Sequence, residues 1–357
     1  MPHHIRIAAL LLALAACKFP YPGDVPDDAH PASDAPDLED GNRDDGPAPD
    51  AAPVPRTIAF TSDRTGNREI FTMRLDGTMV TNLSNNSASD TSPLWAPTGD
   101  RIAFLSDRTG VQELYVVGLD GTNLTNVSHG QAAEPVWAPN GTNLAFASTR
   151  TGQAQIYVGR TDGPPPAQVT FDATDTSFSQ VAWSPDGARL LYTNGTSLAT
   201  MNTDGSDPRV IASDGIYLWP MWSPDGQKVL FDGRPKLFFE IYVANSDGSD
   251  LVDVTSTPAV HEREARWSPD GSQIVFVGSA PSPQYVDIET VRPSGAGRAN
   301  LTMNSTVETQ PQWSPDGTTI MFVAQGDIFT MAADGGAIAN IGAAPSTEAD
   351  ATWKPAP

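Results

Sequence analysis

Acidic side chains recur three or five positions before five of seven regularly spaced tryptophans, and they give this chain its main capacity for chemistry. Carboxylates transfer protons as general acids and bases, and they also bind cations and basic groups. The densest polar cluster is His261–Glu264, and two nearby aromatic residues offer faces on which a sugar can stack. The candidate partner-binding residues are Asp90, Glu134, Tyr217, Trp219, Glu262, Arg263, Glu264, Glu308, Glu348 and Asp350.

Residues suited to catalysis are scarce in the part of the sequence that is expected to fold. From residue 56 onward the only histidines are His129 and His261, and Cys17 is the only cysteine of the chain. A histidine-rich transition-metal site is therefore not expected. The sequence contains no G-x-S-x-G nucleophile motif, phosphate-binding loop or dinucleotide fingerprint. We expect no catalytic residue, no metal and no cofactor.

A tryptophan followed by a tight turn is the unit that repeats. Four copies read W-S-P-D-G, in which Pro presets the turn and Gly tolerates a positive φ. The spacings between the tryptophans are 42, 46, 39, 45, 46 and 40 residues. Such a period, with several short strands in each unit, is typical of β-propeller blades. The tryptophans are Trp95, Trp137, Trp183, Trp222, Trp267, Trp313 and Trp353.

Each repeat predicts four antiparallel strands, as the second one illustrates. A first strand ends at Trp95, residues 101–105 form a second and residues 113–117 a third. Asp120-Gly121 is a hairpin signal, after which a short outer strand begins. This pattern is one propeller blade.

The two ends of the array predict a closed ring. The chain enters the repeat at a second strand, residues 56–60, and ends just after a first strand at Trp353. Pairing these strands would complete one composite blade and leave no free sheet edge. We therefore expect an all-β fold of seven blades over residues 56–357. Six blades are the alternative, because the fourth and sixth repeats have weak third strands.

The turns between second and third strands share a face with the blade connections, whereas the Pro-Asp-Gly turns lie on the opposite face. Turns present in several repeats, such as residues 63–66 and 107–110, are interpreted as structural. Positions three and five residues before each tryptophan vary more, and they predict a ring of carboxylates near the channel mouth, with Phe178 also nearby. The alternative is that these are solvated loop charges and that His261–Glu264 is a salt-bridge network.

The first 55 residues predict a secretion signal followed by a tether. Residues 1–16 contain Arg6 and then a ten-residue apolar run, too short to span a bilayer. The following Leu-Ala-Ala-Cys resembles a bacterial lipobox, which implies acylation of Cys17; an ordinary signal with an incidental cysteine is the alternative. By analogy with lipoprotein sorting, Lys18 favours the outer membrane, facing the periplasm or the surface. Residues 17–55 are expected to be a disordered acidic, Pro-rich tether, since residues 18–55 hold nine prolines and ten acidic residues against two basic ones.

The charge of the chain narrows the class of partner. A formal net charge of −22 disfavours nucleic acid and anionic lipid surfaces. A protein or peptide with a basic patch fits better, although acidity can equally serve solubility. We expect a monomer whose contact with membrane is limited to its lipid anchor.

The succession of W-S-P-D-G, I-A-F, S-x-R-x-G, I-Y, D-G and L-T resembles the TolB-type propeller repeat, a relative of the WD repeat. TolB is a periplasmic protein whose propeller binds a peptidoglycan-associated lipoprotein. The resemblance covers residues 56–357 and implies a non-catalytic, partner-binding envelope propeller. The chain differs from TolB in three expected features. A tether stands in place of the α/β domain that precedes the TolB propeller, the chain has its own lipid anchor, and it has seven blades rather than six. Because the repeat also occurs in oligogalacturonate lyases and peptidases, a carbohydrate- or cation-binding propeller is the alternative.

Overall fold

A computed structural model describes residues 56–171, 178–234, 237–257, 260–279, 286–342 and 346–356. These residues form seven four-stranded antiparallel sheets, which confirms the seven-bladed propeller. The predicted signal, Cys17 and the tether lie outside the described residues, as does the side chain of Phe178.

The strands are numbered in chain order. Blade 1 contains β1 (Thr57–Ser62), β2 (Glu69–Arg74) and β3 (Thr81–Asn82); blade 2 contains β4 (Asp90–Trp95), β5 (Arg101–Ser106), β6 (Glu113–Gly118) and β7 (Thr125–Asn126); blade 3 contains β8 (Ala133–Trp137), β9 (Asn143–Ser148), β10 (Gln155–Arg160) and β11 (Ala167–Gln168); blade 4 contains β12 (Phe178–Trp183), β13 (Arg189–Asn194), β14 (Ser197–Asn202) and β15 (Arg209–Ser213). Blade 5 contains β16 (Ile216–Trp222), β17 (Lys228–Arg234), β18 (Glu240–Asn245) and β19 (Val252–Asp253); blade 6 contains β20 (His261–Trp267), β21 (Ile274–Ser279), β22 (Val286–Val291) and β23 (Ala299–Asn300); blade 7 contains β24 (Glu308–Trp313), β25 (Thr319–Ala324), β26 (Asp327–Ala332) and β27 (Ala339–Asn340); β28 (Glu348–Trp353) returns to blade 1.

The ring closes through the last strand, as the sequence predicts. β28 pairs antiparallel with β1, and Trp353 lies opposite Ile58. Blade 1 therefore combines both ends of the array, and neither terminal strand is left unpaired. The weak fourth and sixth repeats still form their third strands, β14 and β22.

The core lies between neighbouring blades. Each second strand carries an aromatic residue, and those of six blades are almost fully buried phenylalanines, such as Phe104 and Phe146. Burying one such side chain contributes about 1.5–3 kcal/mol. Five of the seven repeat tryptophans are buried, whereas Trp222 and Trp313 are only half-buried. Repeated apolar second and third strands therefore explain why the sheets stack around one axis.

The two kinds of turn follow the expected chemistry. In the Pro-Asp-Gly turn of blade 4, the Asp186 carboxylate accepts hydrogen bonds from the Ser184 hydroxyl at 2.6 Å and the Ala188 amide at 3.0 Å. Gly187 has a φ of 71°, which glycine adopts without a steric penalty. On the opposite face, Ser89 in a blade connection donates to Asp107 in a turn between second and third strands at 2.9 Å. This contact places the two features on one face.

Candidate functional site

Apart from Phe178, whose side chain lies outside the described part of the structure, the residues five positions before the tryptophans are buried, so they do not form the expected surface ring. Asp90, Glu262, Glu308 and Glu348 are at most 1% exposed. Tyr217, which occupies the same position in blade 5, is 8% exposed, and its hydroxyl donates to the Ser213 carbonyl at 2.6 Å. The sequence indicated their spacing correctly, but the inward direction of these side chains at the start of each innermost strand makes them part of the blades.

The buried carboxylates hold arginines that lie across the aromatic residues of the same blade. Arg108 donates to Asp90 at 3.2 Å, and its guanidinium lies 4.5 Å from the centre of the Tyr115 ring. Arg64 pairs in the same way with Glu348 in blade 1. Cation–π contact and charge pairing together explain why the turns of the first repeats contain arginine.

Blade 6 obtains its arginine from a different element. Arg298, at the hairpin between β22 and β23, donates to Glu262 at 3.0 Å and to Glu289 at 2.6 Å. Its guanidinium lies 5.3 Å from the centre of the Phe276 ring. Burial and the nearby Glu240 carboxylate together raise the pKa of Glu262 to about 8, against the opposing effect of Arg298. The repeat pattern gave no signal for this replacement, because Arg298 lies outside the turn motif.

The residues three positions before the tryptophans occupy a β-bulge on the innermost strands. The pairing register of each first and second strand shifts at this point, from Thr91 to Leu94 in blade 2, for example. The backbone φ values there lie between 48° and 59°, although no glycine is present. Such residues are Ser92, Glu134, Trp219, Glu264, Gln310 and Asp350.

Hydrogen bonds link these bulges from blade to blade. The Trp219 amide donates to the Gln180 side chain at 2.6 Å, and the Gln310 amide donates to Glu264 at 2.6 Å. The Asp350 amide donates to the Gln310 side chain at 2.9 Å. A left-handed backbone costs roughly 1–2 kcal/mol per residue, and these bonds offset that strain. We call these bulge residues, together with Gln180, the bulge ring.

Trp219 interrupts the bulge ring because its indole cannot accept a hydrogen bond. Asp232 on β17 takes over this role, and its carboxylate accepts the Glu264 amide at 2.6 Å. Asp232 is fully buried, and burial raises its pKa to about 7 against the opposing effect of the Glu264 amide and Arg266. In the other repeats a Thr, Leu, Ala or Val follows the aromatic residue of the second strand. The aspartate at this position is therefore a departure from the repeat that the sequence analysis could have used and did not.

Opposite charges from distant blades meet inside the bulge ring. The surrounding protein partly desolvates the Glu134 carboxylate and raises its pKa although the side chain is exposed; Arg266 lowers the pKa and Asp350 raises it. The Arg266 guanidinium lies 5.6 Å from the centre of the Trp219 ring and donates to the Ala265 carbonyl at 2.9 Å. Burial lowers the pKa of Arg266. This arrangement can hold a basic or polar group of a ligand among carboxylates, with one arginine as their counter-charge.

The candidate residues therefore divide into two groups. Glu134 is exposed, whereas Trp219, Arg263, Glu264 and Asp350 are half-buried and remain reachable from solvent. The other five are buried in the blades. Arg263 lies 6.0 Å from the Phe239 ring centre. Sequence reasoning missed Arg266, although it is the only charged residue that directly precedes a repeat tryptophan.

Two further properties concern the described residues alone. No group of three or more His, Cys, Asp or Glu side chains among them is arranged to hold a metal ion. Within the same ranges, no helix has the length and apolar character needed to cross a membrane.

Comparison with known families assigns the fold. A family model described as the TolB beta propeller domain matches residues 43–133, 109–215 and 197–356. The chain belongs to the TolB β-propeller family. No curated protein is significantly similar to it in sequence.

Solved structures share the architecture of this TolB-family propeller at low sequence identity. TolB from Acinetobacter baumannii is 16% identical with a TM-score of 0.57, and the alignment covers 84% of this chain and 67% of that one. An oligogalacturonate lyase in complex with manganese is 14% identical with a TM-score of 0.62, covering 80% and 85%. A puromycin-hydrolyzing peptidase from Mycobacterium tuberculosis is 14% identical with a TM-score of 0.64, covering 80% and 53%. These likenesses establish the propeller fold.

Proposed function

We propose that this protein is a lipid-anchored scaffold of the bacterial cell envelope that binds a basic segment of another envelope protein without catalysing a reaction. The observation that carries the proposal is the accessible part of the bulge ring, where Glu134, Glu264 and Asp350 come from three different blades. Desolvation by the surrounding protein and the nearby Asp350 carboxylate raise the pKa of Glu134, although its side chain is exposed. A lysine or arginine of a partner would relieve this repulsion.

The backbone of the site is already organised for binding. The bulges of blades 6, 7 and 1, which include Glu264 and Asp350, are tied to one another by main-chain to side-chain hydrogen bonds, so a ligand has little ordering of the backbone to impose there. Membership of the TolB family supports a partner-binding role, because the family resemblance implies a propeller that docks another protein.

The experiment is capture of partners from envelope extract with the tagged full chain. Glu134→Gln combined with Asp350→Asn removes two charges. The amide that replaces the Asp350 carboxylate keeps one oxygen to accept from Gln310, and its NH2 group can donate to the Thr61 hydroxyl. The matched control is Asp120→Asn with Asp162→Asn, at exposed hairpin turns. We expect the first pair to lose the partner and the control to keep it. Equal capture by both would contradict binding at the bulge ring.

A carbohydrate ligand is the second candidate, and Trp219 favours it. Its half-buried indole lies inside the bulge ring beside Arg266, where a sugar could stack and a carboxylated sugar could pair. Tyr217 cannot contribute, since it is buried. A glycan array probed with the full chain and with Trp219→Ala tests this idea. Binding that disappears with the indole would replace the protein-partner proposal.

The anchor is proposed separately, because Cys17 lies outside the described residues. We expect Cys17→Ser to move the protein from the detergent phase to the aqueous phase in a Triton X-114 partition. Mass spectrometry should find a diacylglyceryl group on Cys17 of the unaltered protein. An unmodified Cys17 would leave the propeller without the proposed tether.

A further inference from the structure

Two clefts between blades lie on the face that carries the Pro-Asp-Gly turns, away from the blade connections. The first, of about 410 Å³, separates blades 6 and 7 and is lined by Asp270, Gln273, Trp313 and Asp316. We call it the Trp313 cleft. Trp313 is half-buried, so part of its surface is accessible from the cleft.

The second cleft, of about 350 Å³, separates blades 3 and 4 and has the same construction. It is lined by Asn143, Trp183, Asp186 and Thr203, together with the preceding turn. We call it the Trp183 cleft. In both clefts the tryptophan belongs to the following blade, and the residue six positions after the preceding tryptophan is an uncharged amide, Asn143 or Gln273.

At two other junctions between blades, a cation of the preceding blade lies over the tryptophan of the following blade. Arg101, six residues after Trp95, has its guanidinium 6.0 Å from the centre of the Trp137 ring. It also donates to the Thr161 hydroxyl of blade 3 at 3.2 Å. Lys354 of blade 1 likewise has its ammonium 5.4 Å from the centre of the Trp95 ring. The propeller thus covers two of its own tryptophans with basic side chains.

The clefts retain the groups that receive such a cation. Thr203 in the Trp183 cleft stands where Thr161 accepts from Arg101. Asp270 and Asp316 border the Trp313 cleft. The Asp316 carboxylate already pairs with the Arg56 guanidinium, which shows that a carboxylate on this face binds arginine within the molecule. Hydrogen bonds from Ser268 and Ser272 lower the pKa of Asp270, which keeps it charged. No basic side chain is among the lining residues of either cleft.

We propose that the Trp313 and Trp183 clefts bind arginine or lysine side chains of a partner protein, in the way that Arg101 covers Trp137. The indole supplies a cation–π face and the neighbouring carboxylate supplies charge pairing. These clefts lie on the face opposite the blade connections and involve none of the bulge-ring residues. They therefore form a separate interaction surface for a basic partner.

A tetra-arginine peptide serves as the probe, with tetra-citrulline as the uncharged control, and calorimetry on the full chain at 0.15 M salt measures binding. Gln273→Arg with Asn143→Arg fills both clefts from within. Val111→Arg with Met303→Arg adds the same charge at exposed positions of the opposite face. We expect the filled variant to bind tetra-arginine about threefold to thirtyfold more weakly than this control.

The converse variant, Arg101→Gln, opens a third cleft over Trp137. It should bind tetra-arginine with a higher stoichiometry or affinity than the unaltered chain, and it decides the question if the filled variant does not fold. Equal binding by the filled variant and its charge-matched control would overturn the proposal. So would an Arg101→Gln protein that binds like the unaltered one, because general attraction to an acidic protein would then explain the peptide.

Discussion

Asp232 accepts the hydrogen bond that a bulge-ring side chain accepts in other blades, so substitutions at Asp232 and Trp219 should affect stability together. In the unaltered protein the Glu264 amide donates to Asp232 at 2.6 Å, while the Asp350 amide donates to the glutamine at position 310. Asp232→Thr removes the acceptor but introduces the residue that blade 1 has at the same place, Thr61. Trp219→Gln then offers the missing acceptor from the position used elsewhere in the ring.

The expected magnitude follows from the burial of the donor. A buried amide left without an acceptor costs roughly 1–3 kcal/mol, so Asp232→Thr should lower the free energy of unfolding by about that amount. Trp219→Gln alone loses the packing of an indole against Arg266. In the Asp232→Thr background the same change also restores the hydrogen bond. The two substitutions should therefore be coupled by about 1–2 kcal/mol in the stabilising direction.

Urea unfolding at pH 5.5, followed by circular dichroism, measures the four proteins of this double-mutant cycle. Asp232 is then mostly protonated, because burial raises its pKa to about 7, so the cycle reports on the hydrogen bond rather than on a buried charge. Additive effects of the two substitutions would refute the idea that Asp232 substitutes for a bulge-ring side chain.

The raised pKa of Asp232 predicts how the stability of the protein changes with pH. Between the ordinary aspartate pKa of 3.8, which applies to the unfolded chain, and the folded value of about 7, the folded state retains a proton that the unfolded state has lost. Stability therefore falls as pH rises through this window and is not affected further above it. Raising the pH from 5.5 to 8.5 should cost the unaltered protein up to about 2 kcal/mol more than Asp232→Asn. An equal pH response of the two proteins would show that this carboxyl does not titrate in the native state.

Three other predictions concern the frame of the propeller. Arg108→Met breaks the pair with the buried Asp90, and it should reduce the free energy of unfolding by about 3–5 kcal/mol in denaturant titrations. Arg150→Met is the matched comparison: blade 3 has Ala132 in place of the carboxylate, so we expect a smaller loss. Ending the chain before residue 348 removes β28, and calorimetry should show loss of the single cooperative transition, because β1 then becomes a free edge. A truncated protein with unchanged unfolding would contradict closure by this strand.

The architecture could be predicted from the sequence because each of its determinants is local and repeated. The Pro-Asp-Gly turn and the apolar second strand recur in register, so even weak repeats could be aligned. Closure followed from the mismatch between the two ends of the array, and the pairing of Ile58 with Trp353 confirms it. These features depend on neighbours along the chain, which is the information that a single sequence contains.

The candidate site was predicted less well, because its geometry depends on contacts between blades. Spacing placed Glu264 and Glu348 in one ring, but Glu264 lies on the bulge and is half-buried, whereas Glu348 is buried beside Arg64. A strand pattern with a period of two cannot anticipate a bulge that changes the direction of the side chains. Asp232 and Arg266 were missed for the same reason, since their partners come from other strands and blades.

A residue that departs from the repeat can either be compensated by another residue of the blade or be left without compensation. Trp219 departs from the repeat but Asp232 compensates for it, and Arg298 supplies the arginine that the sequence of blade 6 lacks after its second strand. Such pairs restore the blade and do not by themselves indicate binding. Gln273 departs from the pattern of cation over tryptophan with nothing in its cleft to compensate, and Glu134 adds a charge that Arg266 only partly balances. In a repeat protein, we therefore expect a partner to bind at the deviations that no other residue of the chain compensates.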